Sequence, residues 1–197
     1  MDSRVQAGVM ATGFLILCSL LSCQTSPNVV IHESESLTVV LQELPTGYPL
    51  LAPYHHPYKI PLKDVLSALE SLNYTTASSM PFSSRQPSRV FTKRQAESLA
   101  SELSKALSDV LSEQVVAFAI ADEEKPDRRT KGFVFVAKDE LHLIIEELRK
   151  PLYEGEQKTY QQPISRWELL PGDRQRHYAT RVDGKGAITN WIIIPLL

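Results

Sequence analysis

Three apolar segments that follow one another closely in the second half of the chain constrain the fold more than any other feature. They are residues 114–121, 132–137 and 140–146. The first two are apolar on both faces, which is typical of strands buried in the middle of a sheet. Lys138 and Asp139 form a tight turn between the last two, and strands this close in sequence pair antiparallel. We therefore predict an antiparallel meander at the centre of the domain.

Two amphipathic helices are predicted before this meander. Pro61 suits the first position of a helix, and an apolar stripe follows at helical spacing, formed by Leu62, Val65, Leu66, Leu69 and Leu72. The second helix begins at Thr92, which forms a capping-box pattern with Gln95. Its apolar positions hold the helical period at Ala96, Leu99, Ala100, Leu103, Ala106, Leu107, Val110 and Leu111.

Further strands are predicted at residues 37–44, which are rich in β-branched side chains, and at the strongly β-prone residues 187–197. Shorter ones are predicted at 89–91 and 164–170. One strand, two helices and then a run of strands is the order of an α+β domain. We expect an antiparallel sheet of four to six strands with two helices packed on one face.

The remaining segments are predicted to be irregular. They are the polar linker 26–36, the proline-rich segment 45–61, the Ser/Pro-rich loop 73–88, the charged loop 122–130 and the polar stretch 150–185. Proline fixes φ and removes a backbone donor, so regular structure is not expected where five prolines fall within 45–61. Because the central strands are apolar on both faces, we expect the proline-rich segment or the C-terminal loop to cover part of the second face.

The N-terminal segment has the pattern of a signal peptide, with a short polar start followed by apolar residues 5–21. Its strongly apolar part, 9–21, is shorter than the about 20 residues that a membrane-spanning helix needs. Leu20-Leu21-Ser22-Cys23 ends this run, and polar residues follow it. The alternatives are an uncleaved signal anchor and an ordinary secretory leader.

Leu20-Leu21-Ser22-Cys23 resembles the lipobox of bacterial lipoprotein precursors. The resemblance implies cleavage between Ser22 and Cys23 and attachment of fatty acyl chains, such as palmitate, to Cys23. Several chains anchor a protein firmly, whereas one gives only marginal membrane binding. Residue 24 is not Asp, which by the same resemblance implies the periplasmic face of the outer membrane. The expected organisation is a signal peptide (1–22), a lipidated N-terminus and linker (23–36), and one α+β domain (37–197).

Composition excludes several classes of function. The net charge of −2 argues against nucleic-acid binding, which needs a basic surface. Of the two cysteines, Cys18 lies in the leader and Cys23 carries the lipid, so no pair remains for a disulfide or a thiolate metal site. No phosphate-binding glycine motif occurs. We predict no cofactor.

Candidate surface-binding residues come from two places. Tyr54, His56 and Tyr58 belong to an unusual cluster of rings with His55, but adjacent imidazoles in an extended segment point to opposite sides and do not readily share a metal ion. Packing of these rings onto the sheet is the simpler interpretation. Arg128 and Arg129 belong to the first of two basic groups, which are Lys125, Arg128, Arg129 and Lys131, then Arg174, Arg176, Arg181 and Lys185. If the groups converged, they would suit anionic headgroups, although interleaved acidic residues favour a solvated surface.

No catalytic residue is predicted. His142 lies in a predicted strand without an accompanying Ser or Asp motif, and is expected on the less buried face. The leading hypothesis is a non-enzymatic, membrane-anchored periplasmic protein that binds an envelope protein or component, as an assembly or accessory factor. One alternative is an envelope hydrolase acting on peptidoglycan or lipid, with His142 or His56 as base. Another is a small-ligand carrier with an apolar cavity between helices and sheet.

Overall fold

The computed structural model describes residues 27–49, 51–76, 86–152, 167–181 and 186–196. In these ranges it has two helices, α1 (Leu62–Glu70) and α2 (Lys93–Asp109). The strands are β1 (Val29–Glu33), β2 (Leu37–Gln42), β3 (Asn73–Thr76), β4 (Ser88–Arg89), β5 (Val115–Ala121), β6 (Arg128–Ala137), β7 (Glu140–Pro151), β8 (Trp167–Leu170), β9 (Arg176–Ala179) and β10 (Ala187–Pro195). The α+β class is confirmed.

The main sheet has seven strands in the order β1-β2-β5-β6-β7-β10-β9, and every pair in it is antiparallel. The predicted β5–β6–β7 meander is present, and its tight turn places Lys138 and Asp139 at positive φ angles of 53° and 59°. The predicted size of four to six strands is wrong. The extra strands β1 and β9 are both edge strands, and they lie in segments that were expected to be a linker and an irregular stretch.

Helix α2 packs on one face of this sheet, and α1 packs against α2 in the same hydrophobic cluster. Leu99, Leu103 and Leu107 of α2 are fully buried in the same cluster as sheet residues of that face, such as Val39 and Val134. A second sheet of three strands, in the order β4-β3-β8, joins the same cluster. The prediction of a loop over 73–88 is therefore wrong at β3 and at Ser88. The predicted strand over 164–170 is present in its described part.

The helix ends follow from local hydrogen bonding. The Thr92 hydroxyl accepts from the Gln95 backbone N–H at 3.2 Å, and the Gln95 side chain accepts from the Thr92 N–H at 2.9 Å. This capping box confirms the predicted start of α2. Pro61 is the N-cap of α1 and not its first helical residue. Leu111 lies beyond α2 and is 60% exposed, so it does not belong to the apolar stripe of the helix.

The second face of the main sheet is covered in part by the proline-rich segment, as expected. Leu44, Tyr48, Leu51 and Ala52 pack with the buried Tyr54 against sheet side chains of this face. The sheet contributes Val115, Phe133, Phe135, Ala137, Ile144, Trp191 and Ile193. The central strands are therefore apolar on both sides because a helical layer covers one side and an irregular layer the other.

The lipobox and the predicted cleavage position lie outside the described residues. So do Lys185 and the first part of the predicted strand 164–170. In the part of the chain that the structure describes, none of the helices has the length and apolar character needed to cross a membrane.

Candidate functional site

His56 fastens the proline-rich segment to the sheet. Its Nε2 accepts a hydrogen bond from the Val136 backbone N–H at 2.9 Å, and its Nδ1 lies 3.1 Å from the Gln114 carbonyl oxygen. Val136 lies beyond the last pair of the β5–β6 ladder, Val116↔Val134, so the imidazole replaces a strand partner there. The pKa of His56 is lowered, mainly because the ring is buried. A neutral ring with both nitrogens engaged is neither a free metal ligand nor an available base.

The two neighbouring tyrosines are packing residues. Tyr54 is 5% exposed, and its ring lies 4.7 Å from that of Phe135, between ring centroids. Burial raises the pKa of the Tyr54 hydroxyl to about 12. Tyr58 packs against the helical side of the core, and its backbone N–H donates to the Leu107 carbonyl at 2.8 Å. Tyr54 therefore packs onto the sheet, Tyr58 packs on the helical side, and the ring of His56 is engaged inside the fold. The surface-binding role of these three residues remains a prediction.

Arg128 and Arg129 do not join these residues. They lie at the start of β6, whereas His56 binds Val136 near the other end of that strand. At the rise per residue of a β-strand, the two ends are about 25 Å apart. The Arg129 guanidinium donates to the Glu35 carbonyl, and that of Arg128 donates to the Arg149 carbonyl at 3.5 Å. Both arginines thus brace the loops around the end of the sheet.

The two basic groups of the sequence also lie apart. Arg128 pairs with Pro151 at the end of β7, whereas Arg176 forms a bidentate ion pair with Glu140 at its start, at 2.7 and 2.9 Å. A twelve-residue strand separates these points by about 35 Å. Arg128 and Arg176 therefore do not contribute to one anionic-ligand surface.

A cleft of about 540 Å³ opens next to Arg176, on the second face of the sheet. Its lining combines apolar side chains with the charged side chains of Lys138, Glu140, Arg176 and Arg181. It is lined by Leu51, Pro53, Ala137, Lys138, Glu140, His142, Arg176, His177, Tyr178, Ala179, Arg181 and Ile193. All four residues of the edge strand β9 contribute, so the cleft runs along the open edge of the sheet.

His142 lies in the floor of this cleft and is only 4% exposed. The expectation that it sits on the less buried face is wrong, because the proline-rich segment covers that face. The imidazole stacks on Phe135 with 4.9 Å between ring centroids, and its Nδ1 accepts from the Trp191 indole N–H at 3.2 Å. Burial, more than any other cause, lowers the pKa of His142 to about 4. The ring is therefore neutral near neutral pH.

Tyr178 lines the cleft and Trp191 stacks behind it, and sequence analysis did not single out either as a site residue. Their rings stack with 4.1 Å between centroids and an interplanar angle of 14°. Trp191 is fully buried, whereas Tyr178 is half-buried and lines the cleft. The one signal in the sequence is an aromatic residue, Tyr178, within an otherwise polar stretch.

The arrangement suits binding better than proton transfer. Glu140 is the carboxylate of the cleft, and both of its oxygens accept from Arg176. The Nδ1 of His142 accepts from the Trp191 indole N–H. Elsewhere on β7, the carboxylate of Glu147 forms ion pairs with Lys131 at 2.9 Å and with Lys150 at 3.0 Å. Within the described ranges, no group of three or more His, Cys, Asp or Glu side chains is placed to hold a metal ion.

Comparison of the chain with family models, with curated proteins and with solved structures yields no match. The cleft on the second face of the sheet is therefore the feature on which a functional assignment rests.

Proposed function

We propose that this chain is a lipid-anchored envelope protein whose domain binds an envelope component without catalysis. The observation that carries the binding role is the cleft of about 540 Å³, whose lining combines apolar and charged side chains. Its volume lies in the range of about 300–1,000 Å³ that is typical of ligand sites. The lipobox-like Leu20-Leu21-Ser22-Cys23 supports anchoring through Cys23 at the periplasmic face of the outer membrane.

The geometry favours this proposal over the two alternatives. A hydrolase with His56 or His142 as base needs a ring nitrogen that reaches the substrate. Both nitrogens of His56 and the Nδ1 of His142 are engaged inside the fold, and the His142 ring is buried. A carrier with its cavity between helices and sheet needs space at Leu103, which is fully buried against the sheet. The cleft of the second face is open at the surface.

The anchoring part is tested by Cys23→Ser. We expect the wild-type chain to fractionate with membranes and to carry the mass of a processed, acylated protein. The variant should keep the mass of the uncleaved precursor, because the thiol that receives the lipid is gone. A wild-type chain with the unmodified precursor mass would contradict lipidation, even if it fractionated with membranes.

The binding part is tested by site-specific cross-linking in cells. A photoreactive residue at Ala179 lies in the cleft, whereas one at Leu111 is exposed outside it. We expect an adduct with an envelope component from position 179 and none of the same mass from position 111. Identical adducts from both positions, or none from position 179, would show that the cleft is not the binding site.

A further inference from the structure

One corner of the domain lies where the chain leaves it towards Cys23. Resting on the proposed anchoring through Cys23, we infer that this corner is seated on the surface of the phospholipid bilayer. Its contact side chains are Val29, at the start of the edge strand β1, and Leu111, in the turn between α2 and β5. The partner is a lipid surface that carries no net charge.

The length of chain before the domain limits which part of it can meet the membrane. Three residues, 24–26, separate Cys23 from Pro27, where the described structure begins. Four residue steps span at most about 14 Å. Acyl chains on Cys23 hold that residue at the bilayer surface, whose polar layer is about 5–8 Å thick in each leaflet. Little room is therefore left between Pro27 and the lipid.

Pro27 and Leu111 are both held to Gln114. The Gln114 side-chain amide donates to the Pro27 carbonyl at 3.4 Å, and the Gln114 backbone N–H donates to the Leu111 carbonyl at 3.0 Å. Gln114 is 2% exposed, so these bonds fix the exit of the chain against the α2–β5 turn. The turn and the start of β1 therefore form one corner, at the end of the sheet where β5 begins.

This corner exposes apolar side chains at positions where polar ones are usual. Leu111 is 60% exposed although it begins a turn, where Asp, Asn or Ser is favoured. Val29 and Val30 are 44% and 56% exposed, although the exposed side of an edge strand is commonly charged. Within the described residues, these are three of the five large apolar side chains that are exposed. Exposed apolar side chains grouped in one place mark a contact surface.

The charges at this corner argue for lipid without net charge. Asp109 and Glu113 are the exposed charged residues closest in sequence to Leu111, and both carry carboxylates. The negative surface potential of anionic lipids would repel them, whereas a zwitterionic surface would not. The contact therefore depends on the burial of apolar area next to a short tether, and not on a basic patch.

Leu152 provides a matched comparison at the opposite end of the sheet. It is 49% exposed, and its backbone N–H donates to the Asp127 carbonyl just beyond the end of β7. β5 begins beside the end of β6, whereas β7 ends beside the start of β6. Leu152 and Leu111 are thus exposed leucines at two ends of the sheet, and the tether can bring one of these ends to the bilayer.

The test measures contact between single positions and lipid tails. In the proposed processing, Cys18 leaves with the leader and Cys23 carries the lipid, so a substituted cysteine is the one free thiol of the mature chain. The acylated products of Leu111→Cys, Val29→Cys and Leu152→Cys are labelled with an environment-sensitive fluorophore. They are placed, one copy per disc, in phosphatidylcholine nanodiscs with a spin label high on the acyl chain. We expect strong quenching at positions 111 and 29 and little at position 152.

A second substitution tests whether apolar contact seats the corner. With the label at position 29, Leu111→Asp should lower the ratio of seated to unseated domain about tenfold, because the burial of a leucine side chain is lost and a carboxylate must stay hydrated. The loss of quenching measures this change. Leu152→Asp is the control and should leave the quenching as it is. Phosphatidylglycerol added to the discs should not increase the quenching.

Several results would overturn the inference. Equal quenching at positions 111 and 152, or none at 111, would mean that the corner is not seated on lipid. Quenching that survives Leu111→Asp would remove the role of apolar contact, and quenching that requires phosphatidylglycerol would make the contact electrostatic. Quenching that appears only with two copies per disc would assign the corner to a second copy of the chain.

The mass of the same sample separates this inference from the proposed function. An acylated chain without quenching at position 111 refutes the seated corner and leaves the anchoring in place. A chain with the mass of the unmodified precursor refutes the anchoring and the seated corner together.

Discussion

Mild acid should destabilise this domain through His142. Burial lowers the pKa of the imidazole from its ordinary 6.5 to about 4, with smaller effects of Glu140, Arg176 and Lys138 around it. As the pH is lowered, the His142 imidazole therefore takes up its proton around pH 6.5 in the unfolded chain but only around pH 4 in the folded chain. Between these values the unfolded state holds more protons, so stability falls as the pH is lowered through this window and levels off below it.

The size of the effect follows from proton linkage. For one group with these two pKa values, the free energy of unfolding drops by about 2 kcal/mol between pH 7 and pH 5. His56 adds to the drop, because burial lowers its pKa as well. Glu147 does not contribute in this interval. Burial tends to raise its pKa, but Lys131 and Lys150 hold it below the ordinary 4.5.

The assay is urea unfolding at pH 7, 6 and 5, followed by tryptophan fluorescence, for the parent chain and two variants. His142→Asn keeps an acceptor for the Trp191 indole N–H and removes the titration. We expect it to be less stable at pH 7, because ring packing is lost, and to lose less than about 1 kcal/mol between pH 7 and pH 5. His55→Asn is the control, since the His55 side chain is 59% exposed. It should show the parent profile.

An equal loss of stability in the parent chain and in His142→Asn would refute this reasoning. It would mean that the buried imidazole is not the group that links folding to pH. A flattened profile in His55→Asn would refute it as well, because it would assign the effect to an exposed histidine.

Three further predictions concern stability at neutral pH. Gly132→Ala should lower the free energy of unfolding by about 3 kcal/mol, because a Cβ there would collide with the Ile144 carbonyl oxygen. An unchanged urea midpoint would contradict that close approach. Thr92→Ala should lower the free energy of unfolding by about 1 kcal/mol, because it removes the N-cap of α2. Thr92→Ser should retain most of this stabilisation in the same assay. His56→Ala should lower the free energy of unfolding by about 3 kcal/mol, because it leaves the Val136 N–H unpaired. The Val136 amide should then lose its protection against hydrogen exchange. Full protection would argue against the bond.

The meander and the helices could be predicted because their residues carry a local period. The edge strands could not. β1 contains the polar His32 and Glu33, and β9 begins with Arg176 and His177, because the outer side of an edge strand faces water. Such composition looks the same as that of a loop. The pairing that makes these segments strands comes from the next strand along the chain, β2 for β1 and β10 for β9. The apolar pattern lies in those partner strands.

The candidate site was harder to predict than the fold. Trp191 of β10 stacks behind Tyr178 of β9 and contacts His142 of β7. His142 and Trp191 are 49 residues apart in the sequence and meet only because β7 pairs with β10. The sequence singled out His56, whose unusual setting has a structural cause. A histidine can supply a donor and an acceptor in one rigid ring, which is what the backbone beyond the end of the β5–β6 ladder needs.

The position of β2 has a consequence for how the chain folds. β2 pairs with β5, yet α1, β3, β4 and α2 all lie between them, so about 70 residues must be looped out before that ladder forms. The β5–β6–β7 meander needs only short loops. We expect the meander to nucleate folding and β1–β2 to dock late. Destabilising changes in the meander should then slow folding, and those in β1 or β2 should mainly speed unfolding.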